Sequence, residues 1–112
     1  MAEEKNITEV YEEELDELVI RFIHPVTFED KEYKEIDLTG LRNLTGQDLA
    51  DSERIWFRSG GRNADQPELN YQAIAYLCAK VTPLPIEFFT QIPILEARLI
   101  RNSVRNFLRG LA

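Results

Sequence analysis

With 112 residues, 44% of them apolar and 29% charged, the chain has the size and composition of one globular domain, which excludes global disorder and collagen-like repeats. No apolar run approaches the ~20 residues a membrane-spanning helix needs, and Met1-Ala2-Glu3-Glu4 lacks the basic and apolar regions of a signal peptide. The net charge of −7 is local: residues 1–17 carry Glu3, Glu4, Glu9, Glu12, Glu13, Glu14, Asp16 and Glu17 against Lys5, while residues 18–112 balance, an arrangement that argues against nucleic acid as the main ligand.

Residues 1–17 therefore read as an acidic, flexible arm, with Ile7, Val10, Tyr11 and Leu15 its sizeable apolar residues after Met1, followed by a single α+β domain over 18–112. In Leu18-Val19-Ile20-Arg21-Phe22-Ile23 the alternation of Leu18, Ile20 and Phe22 predicts a strand. Pro25 is expected to end its regular pairing. A turn over Phe28-Glu29-Asp30-Lys31 leads to a second strand, Tyr33–Leu38, in which Ile36 and Leu38 share a face. Two strands alone are marginal in water, so the apolar face of this β-hairpin must be covered by the three or four α-helices that follow.

Thr45-Gly46-Gln47-Asp48 sets a hydroxyl three residues before a carboxylate, close to a capping box, and opens a helix over about 46–58 with Leu49, Ile55, Trp56 and Phe57. Gly60-Gly61 stops it, and Arg62–Gln66 is polar loop. Pro67 suits the first turn of a helix over about 67–81, in which Leu69, Ala73, Ile74, Leu77, Cys78 and Val81 recur at helical spacing. Thr82-Pro83-Leu84-Pro85 breaks the chain. Ile86–Gln91 supplies one or two helical turns packed through Phe88 and Phe89, and Pro93 admits a last helix over about 93–110. On that helix Ile100, Val104, Phe107, Leu108 and Leu111 lie within about 100°, with Arg98, Arg101, Arg105 and Arg109 opposite them within about 80°.

Residues with chemical potential lack the company that catalysis requires. His24 has no nucleophile or carboxylate at a diagnostic spacing, and Cys78 sits among Ile74, Leu77 and Val81 as a small core residue would. As the sole cysteine, Cys78 also excludes an intramolecular disulfide, which fits a reducing compartment. Gly60-Gly61 is not followed by the Gly-Lys-Ser/Thr of a phosphate loop, and the arm's carboxylates lack calcium-loop spacing. The expectation is a protein without catalytic residues, metal or cofactor, binding another protein. Trp56, Phe88 and Phe89 are its candidate apolar contacts, and Arg98, Arg101, Arg105 and Arg109 its charged face, although a tryptophan in the setting of Trp56 is more often core than contact platform.

The order of these signals resembles the phage tail assembly chaperones. The resemblance rests on Leu18–Pro25 with Tyr33–Leu38, on Leu44–Leu49, on Tyr71–Ala79 ahead of Pro83-Leu84-Pro85, and on Val104–Leu108, covering residues 18–110 and leaving the arm outside. The chain departs from the family at Gln91-Ile92-Pro93, where an aspartate is common. The resemblance implies a non-enzymatic protein in the cytoplasm of a bacterial host that binds the helical, aggregation-prone tape measure protein and helps recruit tail tube subunits. Its expected partners include no nucleic acid and no membrane, and self-association is compatible with it. A structural tail or head adaptor of the phage particle is the alternative, ahead of a small DNA-binding regulator using the arginine stripe.

Overall fold

Leu18, Ile20 and Phe22 alternate with the half-buried Val19 and the exposed Arg21 and turn inward together, each no more than 9% exposed. They open β1 (Val19–Phe28), which pairs antiparallel with β2 (Lys31–Asp37) in a two-stranded sheet. The computed structural model describes residues 16–58, 60 and 70–110. Among them the hairpin is followed by a 3-10 turn (Thr39–Asn43) and four α-helices: α1 (Gly46–Arg58), α2 (Tyr71–Val81), α3 (Ile86–Gln91) and α4 (Ile94–Leu108). The chain is thus α+β, a hairpin covered by helices. No helix among the described residues is long and apolar enough to cross a membrane.

The two strands are joined through Glu29 and Asp30 alone, at φ 52° and 66°, the two-residue loop whose twist suits a hairpin. Pro25 does not end β1. The register slips instead: Arg21 pairs with Glu35 and Val26 with Tyr33, so the four residues from Phe22 to Pro25 stand opposite Lys34 alone. Such a bulge takes backbone N–H groups out of the ladder. Those of Ile23 and His24 are accepted by the two carboxylate oxygens of Glu96, at 3.0 and 3.2 Å.

Glu96 is 1% exposed and lies in the first turn of α4. A glutamate there ordinarily reaches back to the N–H of the helix cap, but the cap is Pro93, which has none. Its carboxylate turns to the strand instead.

Phe88, fully buried, joins the two halves of the molecule. Its ring centroid lies 5.4 Å from Phe28, 5.2 Å from Tyr33, 5.1 Å from Phe89 and 6.4 Å from Phe22, mostly edge to face. Ile74, Leu77 and Cys78 of α2 and Ile100 and Val104 of α4 complete one continuous core with Leu18, Ile20 and Leu38.

The helix boundaries sharpen the sequence expectations. At α1, the Thr45 N–H donates to Asp48 at 2.9 Å, one arm of a capping box. The helix expected from about 67 begins at Tyr71, because Asn70 caps it by accepting the Ala73 N–H at 3.0 Å; Pro67 lies outside the described residues, as do Leu69 and Leu111. Gly40 is fixed by packing, since a Cβ there would stand 3.0 Å from that of Val81.

Two stability outcomes follow, both read as urea midpoints. Replacing Glu29-Asp30 by Asn-Gly relieves left-handed backbone that glutamate and aspartate adopt poorly, and should stabilise the protein by about 1 kcal/mol. Glu96→Ala strands the Ile23 and His24 N–H groups and should cost about 2–4 kcal/mol, with Glu96→Gln, which keeps one acceptor, losing about half as much.

Candidate partner-binding groove

The sequence candidates fall into two sets. Trp56, Phe88 and Phe89 are interior, at 6%, 0% and 1% exposure, so they do not stand out as contact side chains. Phe88 and Phe89 are two adjacent residues of a six-residue helix wedged between hairpin and α2, so neither projects from the surface. The Trp56 ring lies 4.4 Å from that of Phe57 and tilted to it, and it is Phe57 that is exposed.

Arg98, Arg101 and Arg105 line the side of α4 opposite its buried residues, Arg98 exposed and the other two half-buried, with Arg109 just past the helix end. Among the described residues no carboxylate pairs with Arg98, Arg101 or Arg105, and the enclosed Nε atoms of Arg101 and Arg105 have no hydrogen-bond partner. Other surface cations are engaged: Arg42 with Asp16, Lys80 with Asp48, and Arg54 with Asp51.

Next to this stripe lies an open groove of about 550 Å³, lined by Tyr71, Phe89, Ile92, Ile94, Ala97, Arg98 and Arg101 among others. Its floor is held by the Tyr71 hydroxyl, which donates to the Phe89 carbonyl at 2.9 Å and so ties the start of α2 to α3. Burial pushes the Tyr71 pKa upward, keeping the hydroxyl a neutral donor. Ile94 is 76% exposed at the mouth. An apolar floor beside cationic walls suits an amphipathic segment that carries acid groups.

A second depression, of about 250 Å³, lies at the other end of α4 between Leu41, Leu44, Leu49, Leu77, Phe107 and Leu108, with Arg42 on its rim. Sequence patterning does not reveal either cavity, because each is assembled from three or more elements. Cys78, by contrast, is fully buried, and burial raises its thiol pKa well above the ordinary value, as expected of a core residue. Among the described residues no three of His, Cys, Asp and Glu come together as metal ligands.

Asp16 and Glu17, read as the end of the arm, belong to the fold. Both Asp16 oxygens accept from the Arg42 guanidinium at 2.7 and 2.8 Å, one of them also from the Leu18 N–H at 2.9 Å. The Ser103 hydroxyl donates to the Glu17 carbonyl at 2.9 Å. The rest of the arm, residues 1–15, lies outside the described residues.

The Arg42 and Leu18 hydrogen bonds hold the Asp16 carboxyl below its ordinary value of 3.8. A lowered folded pKa gives stability that is complete above the unfolded value and lost as pH falls through the folded one. The urea midpoint of Asp16→Asn should therefore fall less between pH 6 and about pH 3 than that of the unaltered chain.

Comparison with family profiles, with characterised proteins and with solved structures returns no match to this chain, so its fold and groove stand on their own geometry.

Proposed function

We propose that this chain is a non-catalytic binding domain whose groove between α2, α3 and α4 receives an amphipathic helical segment of a protein partner. The observation that carries this reading is the pairing of an unfilled apolar floor, Tyr71, Phe89, Ile92 and Ala97, with arginines that no acid of the described fold engages. A helix laid there would bury apolar side chains and bring carboxylates to Arg98 and Arg101.

The sequence resemblance supplies the identity of that partner. On it, the chain is a phage tail assembly chaperone of the bacterial cytoplasm, holding the tape measure protein soluble while tail tube subunits are recruited. A helix presented to water along its whole apolar side aggregates, and a small domain of net charge −7 with a preformed groove would counter that.

Coexpression with the neighbouring tape measure protein tests the reading. The expected outcome is a soluble complex that copurifies, with the chaperone missing from finished particles; a tape measure protein soluble alone, or no copurification, overturns it. Arg98→Glu combined with Arg101→Glu should weaken the complex tenfold or more, about 1.4 kcal/mol, whereas Lys31→Glu with Lys34→Glu on the hairpin should leave it intact.

A further inference from the structure

α4 carries two seams. Glu96, Ile100 and Val104, each no more than 1% exposed, run with Phe107 along the side that faces the core. Ile94, Arg98, Arg101, Arg105 and Leu108 follow one another at four, three, four and three residues. At 100° per residue those five fall within about 80° of one another, about 125° round the helix from the inner set. Alternating steps of four and three are the heptad spacing by which one helix lies along another at about 20°. Ile94 is 76% exposed and Leu108 38%, so apolar side chains at both ends of this second seam face water.

The outer seam is longer than the groove. Ile94, Arg98 and Arg101 line the larger cavity and Leu108 the smaller, while Arg105 lines neither and stands between them along the helix. From Ile94 to Leu108 the seam runs about 21 Å, or about four turns. Its ends are apolar and its three middle positions cationic. No carboxylate among the described residues pairs with those arginines, and the enclosed Nε atoms of Arg101 and Arg105 have no hydrogen-bond partner. A charged side chain in a helix–helix seam weakens it unless the facing chain supplies the opposite charge, and so selects the chain that can face it. The α4 of a second copy is rejected on that ground: laid parallel or antiparallel, it brings arginine against arginine.

We infer that the outer seam of α4 receives an acidic helix of another protein, about 15 residues long or more, whose carboxylates occupy three successive seam positions between two apolar ones, spaced alternately by three and four. Its apolar ends settle against Ile94 and Leu108, beside the two cavities. Its carboxylates accept from the guanidinium N–H groups of Arg98, Arg101 and Arg105. The inference rests on the helix-binding role proposed above and narrows it. Arg105, outside the groove, becomes a specificity-determining residue, and the partner must carry a charge pattern rather than acidity alone.

The probe is a fluorescein-labelled alanine–glutamine helix of about 22 residues, long enough to be helical in water, with Leu, Glu, Glu, Glu and Leu placed at those alternating spacings. Its anisotropy is titrated with the full chain. A peptide of the same composition with its three glutamates moved to the opposite side should bind at least about tenfold more weakly. Arg105→Glu should weaken the matched peptide about tenfold without shifting the urea midpoint, and changing the facing glutamate of the peptide to Lys should restore the loss. Absence of binding up to about 1 mM, equal binding of the two peptides, or indifference to Arg105→Glu overturns the seam. If copurification of the tape measure protein survives Arg105→Glu but not Arg98→Glu with Arg101→Glu, the groove reading stands and the seam falls. If the peptides discriminate as expected while no tape measure protein copurifies, the chaperone reading falls and the seam stands.

Discussion

A buried carboxylate holds the two halves of this fold in register. Glu96 accepts two backbone N–H groups from the one stretch of β1 that has left the ladder, and without it those groups would have to find water at the margin of the core. Burying a carboxylate is expensive by itself. Here the expense is offset by two hydrogen bonds to a charged group, each worth about 1.5–3 kcal/mol, and by the positive end of the α4 dipole. Geometry follows from that anchorage: with Glu96 turned to the sheet, Ile100 and Val104 also face inward, and the arginines one half-turn away must face out.

The groove is a by-product of the same packing. Phe88 fills the space beneath the hairpin, Phe89 closes the gap toward α2, and the short α3 leaves room between Tyr71 and the start of α4. Because the Tyr71–Phe89 hydrogen bond crosses its floor, the cavity does not need to be opened by a ligand. Preformed sites lose little conformational freedom on binding, so most of the ordering falls on the occupant.

Much of the fold is legible in the sequence where one local rule governs. Alternation at Leu18, Ile20 and Phe22 gives the first strand, and the 100° spacing of Arg98, Arg101, Arg105 and Arg109 gives the outward side of α4. Pro25 misleads because a proline without an N–H fits a bulge as well as a strand end. Asn70 was legible as a cap, an Asn directly ahead of apolar residues at helical spacing, but Pro67 offers a competing start. Glu96 is the deepest omission: a charged residue in an amphipathic helix reads as solvent-facing, and only its position behind Pro93 hints otherwise. The candidate site divides in the same way. Its arginines follow from one helix, while its cavities depend on how four elements meet, and the burial of Phe88 and Phe89 follows from the hairpin closing over them.

The bond between Glu96 and β1 spans 73 residues of sequence. Synthesis proceeds at about 5–20 residues per second, so the bulged strand waits several seconds for its acceptor after Ile23 has been made. During that interval the hairpin's apolar face is also uncovered, since α2, α3 and α4 have yet to arrive. Such a domain has no stable N-terminal half to fall back on. It becomes a folded body only when its last helix is free of the ribosome, in a single late step rather than piece by piece.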